Sequence, residues 1–396
     1  MDLSYRAKKI EPSATLAIGA KAKSMIKEGI DVISLAAGEP DWDPPYEAKE
    51  AAITAVREGN AHYTPASGLI ELRDLVAEKM GAENKVSATR DNVIITHGAK
   101  YGLYLALQCL INPDDEVLLP SPYWVSYLEQ IKLAGGVPRI IETSEDEGFK
   151  LDLDTLEDKI TSRVKGIILN YPSNPTGVTY TESELRYIGE VAVKKDIFII
   201  SDEIYEYFNY DQEHISIASL SPKIAEKVIT INGFSKAYAI PGWRVGYAVA
   251  NADIIKAMGS YQSHSASNPN TIAQLACIAG MKDGKKFVAK MAQEFLERRD
   301  SFVDALNNIH GVRCQKPAGA FYVFPNVQYY LGNEVGGVVP TNSIEFATAL
   351  LEKARISCVP GSAFGAEGYV RLSYTQSVSR LKEAIQRLNS VLENNK

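Results

Sequence analysis

Short runs of apolar residues recur along the N-terminal and central parts of the chain, between longer stretches with the mixed polarity of surface helices. In five of them the hydrophobic positions are continuous rather than alternating: residues 93–96, 117–119, 166–169, 197–200 and 228–231. A strand that is apolar along its length is buried on both faces, which is typical of parallel sheets covered by helices. The pattern therefore predicts an α/β fold built on a mostly parallel sheet.

The segments that follow these runs carry unusual residues. They include Gly98, Trp124, Asn174, Asp202 and Lys236, one after each predicted strand. In open α/β sheets, ligands bind beyond the carboxyl ends of the strands, so these segments are expected to meet in one pocket. Turn formation explains the glycines and prolines in these segments. It does not explain Trp124, Asp202 or Lys236.

Composition and charge exclude several classes of protein. With 396 residues, 45% hydrophobic and 23% charged, the chain is an ordinary globular protein with room for two domains. The net charge of −7, without a basic block, argues against a nucleic-acid partner. The four scattered cysteines lack the spacing of a metal site or a disulfide framework. Since neither a signal peptide nor an apolar run of membrane-spanning length is found, we expect a cytoplasmic protein without a membrane partner.

Two breaks in the pattern, at residues 44–45 and 283–284, are expected to act as hinges because they contain proline or glycine. They divide the chain into an N-terminal arm with part of a small domain (1–45), a large domain (46–283) and a small C-terminal domain (284–396). The large domain contains all the predicted strands listed above.

Lys236 has the surroundings that covalent chemistry requires. It follows an apolar strand, small residues flank it, and Arg244 lies eight residues further on. A partly desolvated lysine amine is nucleophilic. An arginine and free backbone N–H groups can hold a phosphate. These are the groups needed to bind a phosphorylated aldehyde as a Schiff base, and the cofactor implied is pyridoxal 5′-phosphate.

Residues 233–246 resemble the attachment-site signature of class I pyridoxal-phosphate-dependent aminotransferases. The resemblance extends from about residue 12 to the last helix and is closest to the bacterial aspartate aminotransferase branch, which includes enzymes that act on prephenate. It implies fold type I, in which a large domain with a mostly parallel seven-stranded sheet is joined to a smaller α/β domain. It also implies that the large domain binds the cofactor.

The resemblance assigns roles around the cofactor ring. Asp202 matches the acid that keeps the pyridine nitrogen protonated, although it could instead cap a helix. Tyr205 matches the tyrosine that hydrogen-bonds the ring hydroxyl, and its spacing from Asp202 predicts that both lie on one helical face. Asn174 matches the asparagine that contacts the ring hydroxyl and the substrate carboxylate. Trp124 matches the aromatic residue stacked on the ring, although a tryptophan or tyrosine is often simply part of the core.

Further residues match the groups that bind the cofactor phosphate. Gly98 and Ala99 supply backbone N–H groups at a helix N-terminus, and Ser235 and Arg244 join them. Tyr63 matches a tyrosine that reaches the phosphate of the neighbouring subunit, which implies a homodimer with shared active sites. The alternative for Tyr63 is a surface aromatic residue in a turn.

Substrate recognition is expected to use two cations. Arg371 matches the arginine that binds the α-carboxylate with a planar fork, and Gly38 matches a loop glycine that closes on it. Residues 260–270 contain neither arginine nor lysine, so they lack the distal-carboxylate arginine of animal-type enzymes. Lys100, beside the phosphate-binding turn, matches the lysine that the bacterial branch uses instead, although it could be a surface lysine. Thr15 also matches that branch.

The resemblance implies ping-pong transfer of the amino group of L-aspartate to 2-oxoglutarate, giving oxaloacetate and L-glutamate, with Lys236 moving the α-proton. Alternatives on the same scaffold are prephenate transamination, alone or in addition, an aromatic or alanine-type aminotransferase, and a C–S β-lyase. A non-enzymatic cofactor-binding regulator with a DNA-binding module is disfavoured by the charge balance. A nicotinamide dehydrogenase is disfavoured because no Gly-x-Gly-x-x-Gly follows an early strand.

Overall fold

The computed structural model describes residues 2–4, 7–8, 10 and 14–392, with side chains except at residues 14–17. The α-helices are α1 (Ala14–Lys27), α2 (Tyr46–Arg57), α3 (Ile70–Ala82), α4 (Ala99–Leu110), α5 (Val125–Leu133), α6 (Leu153–Leu156), α7 (Glu182–Lys195), α8 (Pro222–Ala225), α9 (Phe234–Ala237), α10 (Ala252–Ser265), α11 (Thr271–Asp283), α12 (Lys285–Asn307), α13 (Ser343–Ala349) and α14 (Val378–Leu392). A π-helical turn, Leu350–Ala354, extends α13. Short 3₁₀ segments are Arg90–Asn92, Glu157–Lys159, Glu206–Phe208, Ile217–Ser219, Pro241–Trp243, Gln328–Tyr330 and Gly361–Phe364.

The strands are β1 (Ile33–Ser34), β2 (Val93–Thr96), β3 (Glu116–Ser121), β4 (Val137–Glu142), β5 (Val164–Asn170), β6 (Phe198–Asp202), β7 (Val228–Gly233), β8 (Gly246–Val249), β9 (Tyr322–Val323), β10 (Ile356–Ser357), β11 (Val359–Pro360) and β12 (Val370–Ser373). A seven-stranded sheet has the order β2-β8-β7-β6-β5-β3-β4. Only β8 runs antiparallel to its two neighbours, β2 and β7. This is the mostly parallel, seven-stranded sheet that the sequence predicts.

The five strands predicted from apolar runs are all present in this seven-stranded sheet, and its other two strands, β4 and β8, were not predicted. The missed edge strand β4 contains Pro138, and Val137 and Ile140 are exposed on it, so it lacks a continuous buried run. The missed strand β8 has four residues and begins with Gly246. Pairing in the sheet rather than a continuous buried run therefore defines β4, whereas β8 is buried at all four of its positions.

The sheet is buried on both faces because successive side chains of its strands enter different cores. Ile167 and Ile199 pack in one hydrophobic cluster, whereas Ile168 and Ile200, the next residues along β5 and β6, pack in another. Burying a side chain of this size contributes roughly 1.5–3 kcal/mol. The continuous apolar runs are therefore the physical basis of the two-sided packing.

Helix starts show where backbone groups are left free to bind a ligand. At the start of α7, Thr181 accepts a hydrogen bond from the backbone N–H of Glu184 at 3.3 Å, and Glu184 accepts one from the Thr181 N–H at 2.6 Å. By contrast, α4 begins after Gly98, which has no side chain to cap it. The N-terminus of α4 lies at the carboxyl edge of the sheet and keeps unsatisfied N–H groups there.

Smaller sheets lie beyond this edge. Strands β11, β12 and β9 form an antiparallel sheet, and β1 pairs with β10 in parallel. Together with α12 and α14 they surround a third core that contains Phe295, Phe321 and Leu388.

The division of the chain into domains at residues 45 and 283 stays a prediction. Among the described residues, none of the helices is both long and apolar enough to cross a membrane, and the cytoplasmic location stays a prediction.

A buried ion pair ties α3 to the loop after β6. The Lys79 ammonium group contacts the Glu206 carboxylate, and their side chains are only 8% and 5% exposed. Asn84 and Asn232 donate further hydrogen bonds to Glu206, at 2.7 and 2.8 Å. Each polar atom of the pair is thereby satisfied, as a buried charge requires.

We expect Lys79→Met to destabilise the protein by about 3–5 kcal/mol, since it leaves the Glu206 carboxylate buried without its cation. The matched control is Lys282→Met, which breaks the exposed pair of Lys282 with Glu71 at the surface and should cost no more than about 1 kcal/mol. Urea unfolding followed by circular dichroism measures both values. Equal losses of unfolding free energy in the two variants would contradict a larger contribution from the buried ion pair than from the exposed one.

Candidate active site

A cavity of about 530 Å³ opens at the carboxyl ends of β5, β6 and β7. It brings together most of the predicted site residues, which line it with contributions from α1 and the smaller sheets: Gly38, Ala99, Lys100, Trp124, Asn174, Asp202, Tyr205, Ser235, Lys236, Arg244 and Arg371. Gly98 lies at its edge, where it contacts Arg244. The prediction that the loops after the strands share one pocket agrees with this arrangement.

Lys236 lies on α9, the single helical turn that follows β7. Its Nζ atom donates a hydrogen bond to the carbonyl oxygen of Gly38 at 2.5 Å. Burial lowers the pKa of the Lys236 amine to about 8; Glu39 opposes this shift, whereas Arg371 and Arg244 favour it. At pH 7 roughly a tenth of the amine is therefore neutral and nucleophilic, far more than for an ordinary lysine.

Asp202 ends β6 and is 3% exposed. The Tyr127 hydroxyl donates to its Oδ2 at 2.7 Å, and the backbone N–H of Ile204 donates to its Oδ1 at 3.2 Å. Burial raises the pKa of this carboxyl group to about 6, although both hydrogen bonds oppose the shift. A buried carboxylate of this kind gains stability from a protonated nitrogen placed against it.

The local structure between Asp202 and Tyr205 corrects one prediction. These residues do not share a helical face, because the chain turns at Asp202 and a 3₁₀ helix begins only at Glu206. The side chain of Asp202 bonds to the backbone two residues on, which is the geometry of a turn. Tyr205 nevertheless lines the cavity, and its hydroxyl is 2.9 Å from that of Tyr322.

Arg371 is a buried cation with unused hydrogen-bonding capacity. It is 3% exposed and donates to Asn174 Oδ1 at 2.9 Å and to the Ala36 carbonyl oxygen at 2.7 Å. Its Nε has no partner, and among the described residues no carboxylate forms an ion pair with it. A buried guanidinium group in this state favours an anionic ligand.

Asn174 is also held in place by its neighbours. Its backbone N–H donates to Asn170 Oδ1 at 2.8 Å, and Asn170 Nδ2 donates to the Asp202 carbonyl oxygen at 3.0 Å. Asn170, the last residue of β5, therefore links Asn174 in the following loop to Asp202 at the end of β6. Neither Asn170 nor Tyr127 was among the predicted site residues.

An anion site lies at the N-terminus of α4. Gly98 has φ of +80°, and a Cβ there would lie 2.8 Å from Arg244 Nη2. The Arg244 Nη1 donates to the Pro241 carbonyl oxygen at 2.8 Å, which holds the guanidinium beside the helix. Buried Ser235 lies on the same cavity wall. Helix N–H groups and an adjacent arginine suit a phosphate.

Trp124 and Lys100 form another wall of the cavity. The Lys100 Nζ lies 4.8 Å from the centre of the Trp124 ring, and the ring of Tyr127 packs edge-on against Trp124 with centroids 5.2 Å apart. Burial lowers the pKa of the Lys100 amine, and Arg244 adds to this effect. Lys100 thus adds a further cation to a cavity that Arg371 and Arg244 also line.

Two predicted residues are not brought to the cavity. Tyr63 is 91% exposed and lies beside a separate surface groove with His62 and Asn268. Thr15 is on the first turn of α1, but its side chain lies outside the part of the chain that the structure describes.

Several residues that line the cavity were missed from the sequence, Asn170 among them. Tyr127 lies on the first turn of α5, three residues after Trp124. The predicted position of Trp124 could therefore have indicated that Tyr127 also lies at the cavity. Tyr322 lies on the small strand β9, and nothing in the sequence indicated that this strand faces the large sheet. Ala22 and Lys23 of α1 also line the cavity.

The residues present fit pyridoxal 5′-phosphate. An anion site, a nucleophilic amine and a buried carboxylate line one cavity. The uncapped α4 N-terminus and the close approach of Arg244 to Gly98 would hold the phosphate, and Asp202 would face the ring nitrogen. The unpaired Nε of Arg371 leaves capacity for a substrate carboxylate.

Comparisons with known proteins agree with this fit. The model of the family described as aminotransferase class I and II matches residues 30–388. The chain is 45% identical to a probable aspartate/prephenate aminotransferase of Aquifex aeolicus, with 99% of this chain and 98% of the relative covered. It is 44% identical to an aspartate aminotransferase of Bacillus subtilis, with 99% of both chains covered.

Solved structures give the same result. The aspartate aminotransferase of Rhizobium meliloti matches with a TM-score of 0.95 at 37% identity, covering 100% of both chains. That of Thermus thermophilus with maleate matches with a TM-score of 0.93 at 39% identity, covering 99% of this chain and 100% of the other. The predicted fold type I architecture, aminotransferase activity and pyridoxal 5′-phosphate cofactor are confirmed, because the chain belongs to the class I and II aminotransferase family, whose enzymes depend on that cofactor.

Proposed function

We propose that this aminotransferase moves the amino group of L-aspartate to 2-oxoglutarate, giving oxaloacetate and L-glutamate. The observation that carries the proposal is the pair of cations, Arg371 and Lys100, in one cavity with the reactive amine of Lys236. A dicarboxylic amino acid offers one carboxylate to each cation. The names of the relatives from Bacillus subtilis and Rhizobium meliloti support the same substrate.

Proton transfer is assigned to Lys236. When bound, pyridoxal 5′-phosphate supplies an electron-accepting ring conjugated to the carbon that loses its proton. The Lys236 Nζ would hold the cofactor and, once released, would take the proton from the substrate α-carbon and return it to the former aldehyde carbon. Asp202 would keep a proton on the ring nitrogen, and the Tyr127 hydroxyl orients Asp202 by donating a hydrogen bond to it.

Other residues orient the cofactor. Backbone N–H groups at Gly98 and Ala99, together with Ser235 and Arg244, hold its phosphate. Trp124 covers the ring and excludes water.

Substrate positioning is assigned to Arg371, Asn174 and Gly38. The Arg371 fork binds the α-carboxylate, and Asn174, already bonded to Arg371, shares this contact. Gly38 lies on the loop that closes over the substrate. Lys100 binds the distal carboxylate and thereby disfavours alanine-type and aromatic substrates and the β-lyase reaction.

Prephenate is a second candidate substrate. Relatives from Aquifex aeolicus and Nitrosomonas europaea carry aspartate/prephenate names. Prephenate also has two carboxylates, which suits the same pair of cations. The Thr15 match to this branch stays a prediction.

The protein is proposed to work as a homodimer in which Tyr63 of one subunit reaches the phosphate site of the other. Tyr63 is 91% exposed, so its side chain is free to contact a second subunit, although a surface aromatic residue in a turn would be equally exposed. The proposed domains, 46–283 with the cofactor and 284–396 with residues 1–45, would then move against each other as substrate binds.

Replacing Lys236 tests the central assignment. We expect Lys236→Ala to lose transamination by at least about 10⁴-fold, because the group that holds the cofactor and moves the proton is removed. The visible absorbance of the bound cofactor should also lose its covalent band, while the circular dichroism spectrum stays that of the wild type. Lys194→Ala, at an exposed ion pair with Glu157, is the control and should behave as wild type. Full activity of Lys236→Ala would contradict the proposal.

The Lys236 pKa of about 8 predicts the pH dependence of cofactor attachment. Only the neutral amine attacks the aldehyde, so the rate of attachment to cofactor-free protein should rise about tenfold per pH unit below pH 8 and level off above it. Stopped-flow absorbance after addition of pyridoxal 5′-phosphate measures this rate. A rate that keeps rising to pH 10, as for an ordinary lysine, would overturn the assignment of a lowered pKa.

Substrate choice is tested at Lys100. We expect Lys100→Ala to lower kcat/KM for aspartate by roughly 10–100-fold, the size of one charge-assisted hydrogen bond, and to change kcat/KM for alanine less than about threefold. Steady-state assays with both donors give these values. Lys23→Ala, which removes another cation from the cavity wall, is the control. Equal losses for aspartate and alanine would refute a contact of Lys100 with the distal carboxylate.

A further inference from the structure

Tyr322 contacts three residues to which the proposed function gives separate tasks. Its hydroxyl is 2.9 Å from the Tyr205 hydroxyl. Its ring lies 4.4 Å from the guanidinium carbon of Arg371. A Cβ placed on Gly38 would be only 2.9 Å from the Tyr322 hydroxyl oxygen, so the Gly38 loop lies directly on this group.

The pairing of β9 with β12 explains the contact with Arg371. Tyr322 is directly opposite Ser373 in this antiparallel pair. Arg371 is two residues from Ser373 along β12, so its side chain is on the same face as that of Tyr322. Diagonal neighbours on one face are within reach of an aromatic ring and a long side chain. The backbone therefore fixes the ring of Tyr322 against the cation.

The ring supports Arg371 because few other groups do. Arg371 is buried and its Nε has no hydrogen-bond partner among the described residues. Its guanidinium carbon lies over the Tyr322 ring and is 5.3 Å from the Phe364 ring centre. A cation over a desolvated aromatic face is attracted to it. The stack also restricts the plane of the guanidinium fork, which must match the plane of a carboxylate.

The hydroxyl of Tyr322 acts on Tyr205. Burial raises the pKa of both hydroxyl groups, so both stay protonated. Arg371 opposes the upward pKa shift at both hydroxyls, whereas the hydrogen bond between them raises the pKa of Tyr205 and lowers that of Tyr322. Tyr322 is thus favoured as the donor, because a more acidic hydroxyl is the better donor. If Tyr322 donates to the Tyr205 oxygen, the single proton of Tyr205 is free to point into the cavity. Linked donors of this kind strengthen each other.

We propose that Tyr322 is a positioning residue for both halves of the reaction site: its hydroxyl directs the Tyr205 proton towards the cofactor ring oxygen, and its ring holds the Arg371 fork for the substrate carboxylate. The proposal rests on the roles of Tyr205 and Arg371 in the proposed function. Because the hydroxyl and the ring have different tasks, two substitutions separate them.

The first test removes only the hydroxyl. A hydrogen bond from Tyr205 stabilises negative charge on the ring oxygen, and the neighbouring nitrogen of Lys236 then loses its proton at lower pH. In the holoenzyme, Tyr322→Phe should therefore raise the pH midpoint of the visible absorbance change by roughly 0.3–1 unit. Its dissociation constant for maleate, measured by calorimetry, should stay within about twofold of the wild type.

The second test removes the ring. Tyr322→Leu should weaken maleate binding by roughly 3–30-fold relative to Tyr322→Phe, since the face that supports the Arg371 cation is lost. The control is Tyr374→Phe, which deletes an equally buried hydroxyl that donates to the Ala320 carbonyl oxygen and is also hydrogen-bonded with Tyr210. This control should leave both the pH midpoint and the maleate affinity unchanged.

An unchanged pH midpoint in Tyr322→Phe, or an equal shift in Tyr374→Phe, would overturn the role of the hydroxyl. Equal maleate affinity in Tyr322→Leu and Tyr322→Phe would overturn the role of the ring. A wild-type protein without a visible band, or without maleate binding, would instead contradict the proposed function. The two failures are therefore distinguishable, and Tyr322→Phe remains informative even if Tyr322→Leu does not fold.

Discussion

The site depends on the removal of charged groups from water at the carboxyl edge of the central sheet. Asp202 and Arg371 are each 3% exposed, and burial shifts the pKa of Asp202 up and that of Lys236 down. Such groups are tolerated in a protein only where hydrogen bonds hold them. Tyr127 supplies one for Asp202, Gly38 accepts one from Lys236, and Asn174 accepts one from Arg371.

These supporting bonds join segments that are remote in the chain. Lys236 bonds to a residue 198 positions away, and Arg371 to one 197 positions away. The central sheet provides the reactive amine and the acid, whereas the small strand β12 provides the carboxylate-binding cation. Neither part holds a complete site, so the geometry exists only when the smaller sheets are packed against the edge of the large one. This arrangement places the chemistry at a junction, where ligand pockets are common.

The sequence predicted what local patterns encode. Continuous hydrophobicity located five central strands, because a strand buried on both faces needs apolar residues at every position. The motif around Lys236 indicated the cofactor, and single residues such as Asp202 and Arg371 could be matched to family positions.

What the sequence could not predict depends on contacts across the fold. Tyr322 lies on a two-residue strand, and only its register with β12 places it beside Arg371. The turn after Asp202 was mistaken for a helix because a spacing of three residues is compatible with both. The edge strand β4 was missed since its outer face is exposed and need not be apolar.

The unpaired state of Arg371 links ligand occupancy to folding. A positive charge buried without a counter-ion lowers the stability of the native state, and any anion that docks on it offsets part of that loss. Only the folded chain presents this guanidinium group. A carboxylate that binds it therefore stabilises the native state, and this stabilisation grows with the logarithm of the free carboxylate concentration once that concentration exceeds the dissociation constant. The free energy of unfolding of this enzyme therefore depends on the concentration of the carboxylate metabolites around it.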